Sequence, residues 1–472
     1  MTNELWTLPA TRMRDLLDSG EASSRELVDS CLARIEAVNP RLNALVEVRP
    51  DEARAAAEAA DSARAAGEAH GCLHGIPVAT KINTEQRGYA TTQGVVAWAE
   101  AVAEEDAPVI ASLRNAGALL VGRTNAPAFA FRWFSNNDLH GRTLNPWDAG
   151  RTPGGSSGGS SAAVASGMLP LGHGNDIGGS VRYPAYATGT VGLRPTPGLV
   201  SGGTAAGDPP ETLSVQTMAV HGPHARTVGD VRLGLHGMSG RDPRDPWQVA
   251  GNPTPAPSPN ARRVGLLRDP GVVTPSPSVD AALTQAGRDL EAAGYEVEEV
   301  ELPLFAEAYR IWYLLVLREF LTIMPLVREV GDEAMQRAAL FYQEGSAEWW
   351  GTEPTLHDYI AGYARRGQLM RKLSTVLEEY PTLLTPVSAD EVMLQDADIQ
   401  SAEGMRRCMD IQWPMMSLPL LGVPGLAVPT GVVGGLPTGV QLIGRRFDDE
   451  RLLDVGEVIE RARGSFTPID PT

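Results

Sequence analysis

GGSSGGSSAAVASGMLPLGHGNDIGGSVR, residues 154–182, sets two Gly/Ser-rich loops within one short stretch of chain. Ser156 lies in the first loop and Ser180 in the second. Between them SSAAVASGM reads as a short helix ending at Gly167, and LPLGHGNDIGGS reads as a strand running into the second loop. Glycine density of this kind lets a main chain turn sharply and aim its N–H groups at one point, as stabilising an oxyanion requires. Both serines then sit on loops held by regular elements, and hydrolytic chemistry is the first reading.

Working outward, HGIPVATKI is a short apolar run suited to a buried strand with Lys81 near its end. The segment Ala107 to Asn115 reads as a helix, GALLVGRTN as a strand, and AFAFRWFSNN crowds aromatic residues beside it. Upstream, SSRELVDSCLARIEAV spaces Leu27, Cys31 and Ile35 four residues apart behind capping serines, and DEARAAAEAADSARAAG closes near Gly67. Downstream, the proline-rich AGNPTPAPSPN reads as a surface linker. ARRVGLLRD, SVDAALTQAGRDLEAAGY and EVEEVELP then read as strand, helix and strand. The helical, aromatic stretch 305–350 reads either as ordinary core or as a substrate-facing wall, with core the commoner fate of such residues. PTLLTPV and LLGVPGLAVPTGVVGGLPTGVQLIGRR add strands, and DERLLDVGEVIERAR is a closing helix. Alternation of this kind predicts an α/β fold, a mixed sheet covered on both faces by helices.

Composition supplies an independent pointer. Of 40 basic residues only Lys81 and Lys372 are lysines. Arginine keeps its proton in proteins whereas a buried lysine can lose it, so Lys81 in an apolar strand is the leading general-base candidate; a side chain snorkelling from a strand end is the alternative. The formal charge of −18 opposes nucleic acid and anionic membranes as partners. The three cysteines, Cys31, Cys72 and Cys408, are too few and too scattered for a disulfide framework or a zinc ligand set. With no long apolar run, the expectation is a soluble, cytoplasmic protein.

Four blocks in register now carry a resemblance: GGSSGGSSAAVASG, GNDIGGSVRYPA with VGLRPT, the upstream HGIPVATK, and the late LPTGVQLIGRRFDDERLL. Together, from about residue 10 to about residue 465, they resemble the amidase signature hydrolases. The resemblance implies a Ser-Ser-Lys triad in which Ser180 is the nucleophile, Ser156 the bridging serine and Lys81 the base. It implies an oxyanion hole from the main chain of Ile177, Gly178, Gly179 and Ser180, and a cis peptide between Gly155 and Ser156. Ser157, Asp176 and Arg182 are expected to support the nucleophile loop, Asp176 and Arg182 either as a brace or as an ordinary ion pair. No metal and no cofactor is expected. Lysine's reference pKa is about 10.4, so neutrality near pH 7 to 8 asks for roughly 4 kcal/mol, which burial without a carboxylate partner provides.

The expected substrate is a small amide, with esters and carbamates sharing the same tetrahedral chemistry. Phe131, Trp133, Phe134 and Trp312 are expected to line an apolar pocket for aryl or hydrophobic groups. The sequence also departs from the family pattern. Ile82 and Asn83 follow the lysine where relatives often carry an acidic residue, Asn175 stands where threonine or serine is frequent, and Tyr186, Ala187 and Thr188 are unusual. One domain over 1–472 is expected, with a helical layer over 1–70, a catalytic core over 71–250, a Pro-rich loop over 251–262 and an α/β portion over 263–472. Its assembly is open, a homodimer being compatible with the reading. Four other readings compete. They are the glutamine-hydrolysing subunit of a tRNA-dependent amidotransferase, an α/β-hydrolase built on Ser156 with His221, His224 or His357, a phosphate-binding loop without its GK[ST], and a non-catalytic scaffold.

Overall fold

The computed structural model describes residues 4–68, 71–205, 211–249 and 257–472, so most of the proline-rich linker lies outside the described residues. Thirteen strands follow in chain order. They are β1 Leu45–Val48, β2 Pro77–Lys81, β3 Leu119–Thr124, β4 Asn136–Asn137, β5 Gly141–Arg142, β6 Leu171–Asp176, β7 Val191–Arg194, β8 Val220–Ala225, β9 Arg263–Leu266, β10 Glu296–Glu299, β11 Thr382–Pro386, β12 Gly425–Val433 and β13 Leu436–Gly444. Strands β4 and β5 pair only with each other, and the other 11 form one mixed sheet in the order β1-β3-β2-β6-β8-β7-β12-β13-β11-β9-β10. Strand β2 runs parallel to both β3 and β6, and β9 parallel to β10 and β11, while the remaining pairs are antiparallel. This is the mixed, doubly covered α/β sheet that the alternation of elements predicts.

Local sequence accounts for most of the elements. Ser23 opens the helix Ser24–Leu42 through a capping box with Glu26, and its apolar stripe Leu27, Cys31 and Ile35 is buried. Strands β2 and β13 are buried along their whole length, which requires cover on both faces. The aromatic region folds as the helices Leu304–Val330 and Glu333–Trp350, with Trp312, Tyr313 and Tyr342 buried in a core shared with the helix Trp413–Leu421. Among the described residues no helix is long and apolar enough to cross a membrane.

The helix Gly158–Ala165 positions the site, and it is buried on every side. Only small residues permit that, and its hydroxyls are satisfied internally. Ser160 Oγ donates to the His173 carbonyl at 2.8 Å and Ser161 Oγ to the Pro184 carbonyl at 2.9 Å, tying this helix to β6 and to the helix Arg182–Thr188. Main-chain atoms of Asn125 and Ala44 lie so close that a Cβ at position 159 would stand 2.5 to 2.6 Å from them. Gly159→Ala is therefore expected to lower stability by about 1–3 kcal/mol in urea unfolding, although alanine is the better helix former by about 1 kcal/mol. A midpoint equal to that of the parent would refute this packing.

Candidate active site

Lys81 ends strand β2 with its side chain wholly buried. Its Nζ lies 2.7 Å from Ser156 Oγ and donates to Asn175 Oδ1 at 2.6 Å. The amide of Asn175 is itself oriented, because its Nδ2 donates to Asn83 Oδ1 at 3.0 Å. Every hydrogen-bond partner of the amine is thus uncharged. Burial draws the Lys81 pKa down to about 7, against the opposing pull of the nearby Asp176 carboxylate. The lysine is therefore half neutral near pH 7, and with Asn175 taking an N–H, its lone pair is free to face the Ser156 hydroxyl. In the sequence Asn83 and Asn175 stand out only as departures from a pattern. The structure makes them the groups that orient the Lys81 amine.

The two serine loops meet beside this lysine. The peptide between Gly155 and Ser156 is cis, as the resemblance implies. Ser157 donates its main-chain N–H to the Ser180 carbonyl at 3.2 Å, which joins the first loop to the second, and its Oγ reaches the Asn175 carbonyl at 3.5 Å. Behind the second loop Arg182 grips Asp176 with two bonds of 3.0 Å, and Arg194 donates to the Asp176 main-chain carbonyl at 2.5 Å. Burial alone raises a carboxyl's pKa, but the Arg182 and Arg194 guanidiniums outweigh it and hold Asp176 well below the usual range. The same carboxylate accepts the N–H groups of Gly179 at 2.9 Å and Val181 at 3.2 Å. Asp176 and Arg182 thus form a brace that shapes the loop.

That brace corrects one expectation. Gly179, at φ 91°, turns its N–H into Asp176, so it is not free to meet an oxyanion; a Cβ there would also strike Met415 at 2.4 Å. The other expected donors are Ile177, Gly178 and Ser180, whose residues border the cavity or adjoin it. Two indoles set the planes of this turn. Trp312 Nε1 donates to the Ile177 carbonyl and Trp133 Nε1 to the Gly178 carbonyl, each at 2.8 Å. In a trans peptide the N–H points opposite to the C=O, so Trp312 aims the Gly178 N–H away from itself.

Ser156, Asn175, Asp176, Ile177 and Ser180 border one cavity of about 880 Å3. Its apolar wall is not the one expected from sequence. Trp98 and Phe129 line it, packed edge to face at 5.1 Å, whereas Phe131, Trp133, Phe134 and Trp312 do not border it. Trp133 and Trp312 lie behind the Ser180 loop, Phe134 is fully buried, and Phe131 stacks on Phe320. The reason is a local twist: Phe129 and Ala130 take φ of 56° and 52°, left-handed values unusual for such residues, and this reverses which aromatic side chain faces the cavity. The helices Leu304–Val330 and Glu333–Trp350 border a different cavity of about 350 Å3 that shares no lining residue with the first. Among the described residues that line the larger cavity there is no arginine or lysine, while Glu85, Glu104, Glu105 and Glu211 border it.

The rival constellations do not assemble. Among the described residues no histidine hydrogen-bonds to Ser156 or Ser180, and His357 lies on the distant helix Leu356–Glu379. The described residues also contain no group of three or more His, Cys, Asp and Glu side chains able to hold a metal ion.

Known proteins resemble this chain over nearly its whole length. The Amidase family model matches residues 26–453. An indoleacetamide hydrolase of Bradyrhizobium diazoefficiens is 37% identical over 475 residues, covering 98% of this chain and 87% of the relative. A glutamyl-tRNA(Gln) amidotransferase subunit from Chloroflexus aggregans is 34% identical, covering 97% of this chain and 97% of the relative. Among solved structures, a bacterial aryl acylamidase of the amidase signature family superposes with a TM-score of 0.81 at 27% identity, covering 96% of both chains.

The environment of the amine yields two expected outcomes. Arginine cannot take a proton, so Lys81→Arg should lose roughly 10²–10⁴-fold in kcat although it keeps the charge. Asn175→Asp would place a carboxylate against the amine, favour its charged form and move the acid limb of the kcat/KM profile, expected near pH 7, upward by about 1–3 pH units. An unmoved limb would mean that another group titrates.

Proposed function

This chain belongs to the amidase signature family, and from that membership we propose that it hydrolyses small, uncharged amides bearing an aryl or hydrophobic group, through an acyl-enzyme on Ser180. The observation that carries the reading is a wholly buried lysine, hydrogen-bonded only to neutral groups, 2.7 Å from the Ser156 hydroxyl.

Neutral Lys81 takes the Ser156 proton as Ser156 takes that of Ser180, and Ser180 Oγ attacks the amide carbon. Negative charge develops on the carbonyl oxygen, toward which the N–H groups of Ile177, Gly178 and Ser180 are the available donors. On collapse of the tetrahedral intermediate the relay runs backward and protonates the leaving nitrogen. Water then attacks the acyl-enzyme along the same route and frees the acid. Esters and carbamates pass through the same kind of oxyanion, so both belong to the substrate range under this reading.

The cavity supports the substrate class. Trp98 and Phe129 offer edges and faces to an aromatic or aliphatic group. A glutaminase role, as in the amidotransferase relative, would bring an α-carboxylate into the cavity. Its described lining holds four glutamates and no arginine or lysine to receive that charge.

A panel of phenylacetamide, an anilide, an aryl ester, an aryl carbamate and free glutamine tests the proposal. Turnover is expected for the aryl amides with ammonia or amine release, and for glutamine little or none. Ser180→Ala should lower turnover on the order of 10³-fold or more with the fold intact by circular dichroism. Ammonia release from glutamine alone would transfer the assignment to the glutaminase class.

A further inference from the structure

A pair of histidines that the triad does not use runs from the lysine to the cavity. Strands β6 and β8 are antiparallel with Asn175 opposite His221 and His173 opposite Pro223, so His173, Asn175 and His221 share one face of the sheet. His173 is fully buried and His221 borders the cavity that holds both serines. The Lys81 main-chain N–H donates to His173 Nδ1 at 3.4 Å, and His173 Nε2 lies 2.9 Å from His221 Nδ1.

These contacts determine where the protons sit. A ring nitrogen that accepts from an amide N–H carries no proton, so neutral His173 bears its proton on Nε2. That Nε2–H donates to His221 Nδ1, which is then also an acceptor, and neutral His221 carries its own proton on Nε2. Both rings are neutral at pH 7. Burial, reinforced by the charge of Lys81, brings the His221 pKa to about 4, and burial together with His221 and Lys81 pushes His173 well below its ordinary value. Among the described residues no group accepts the remaining His221 Nε2–H.

We propose that His221 is a specificity-determining residue, an uncharged N–H donor on the cavity wall whose tautomer is dictated from the Lys81 main chain through His173, and that it binds a lone-pair acceptor on the substrate. The partner group is a carbonyl, ether or ring nitrogen of the amide substrate; a protonated amine offers no lone pair and is not recognised. The inference rests on the reading of this cavity as the substrate site. It adds to that reading a reason for selectivity among amides that share the same aryl group.

Histidine-labelled 15N correlation spectra of the full chain at pH 7.5 test the relay without any substrate. Protonated Nε2 and unprotonated Nδ1 are expected on both His173 and His221, and a proton on either Nδ1 overturns the proposal. The second measurement uses whichever acceptor-bearing amide of the panel is turned over fastest. His221→Phe is expected to raise KM about tenfold with kcat within about threefold, as suits one lost neutral hydrogen bond. His221→Gln, which keeps an N–H donor, should return KM to within about threefold of the parent. An unchanged KM in His221→Phe overturns the proposal. So does a fall in kcat with a moved acid limb and constant KM, which would make the pair a mere strut for Lys81. Should no amide be turned over, the functional reading fails while the spectra still decide the tautomers.

Discussion

An amine deprived of water and of any anionic hydrogen-bond partner is the constraint from which the rest of this active site follows. Bringing the lysine pKa from 10.5 to about 7 corresponds to a cost on the order of 4–5 kcal/mol for burying the charged form. The unfolded chain binds the proton more tightly, so this residue's drain on stability is largest below pH 7 and fades as pH rises toward the unfolded value. A carboxylate beside Nζ would relieve that drain and keep the amine protonated near neutral pH, where it could not take a proton. With Asn83 and Asn175 the amine is oriented by an amide oxygen, and no formal negative charge is placed against it. Asp176 is the nearby anion, and Arg182 and Arg194 hold it within their own charge pair.

Much of this is legible in the chain. The near absence of lysine makes Lys81 conspicuous, and its apolar strand foretells burial. The Gly/Ser loops announce two hydroxyls, and period and capping serines locate the helix Ser24–Leu42, whose Ser23–Glu26 box the structure adds. These are local signals, written within a few residues of the feature they specify. Asn175 is visible only as an oddity, because its meaning depends on Lys81 at the end of β2 and Asn83 in the turn that follows.

What stays hidden is set by main-chain direction and by partners far away in sequence. Which aromatic residue of AFAFRWF meets the cavity depends on two left-handed residues, Phe129 and Ala130, and no periodicity announces those. The expectation that Gly179 serves an oxyanion fails for a related cause: composition shows that a glycine can turn, and only the position of Asp176 shows where its N–H goes. In the sequence Trp133 and Trp312 read as lining of an apolar pocket. Their contribution comes from one polar atom each, the indole N–H, directed at a carbonyl 45 and 135 residues away respectively.

The parts that perform chemistry and the parts that choose a substrate are thus built from different material. The Ser180 loop is held by buried bonds to its own main chain, from Asp176, Trp133, Trp312 and the Ser157 amide. A change of cavity side chain leaves those bonds in place. The wall, in contrast, is made of side chains on two short 3-10 helices, which carry Trp98 and Phe129, and near the start of β8, which carries His221. Under the proposed function, exchange of such residues alters affinity by the few kcal/mol of a contact, while stabilisation of the oxyanion is left to the main chain. Under the proposed function, that separation gives a physical reason why this chain can resemble both an indoleacetamide hydrolase and a glutamyl-tRNA(Gln) amidotransferase subunit over nearly its whole length.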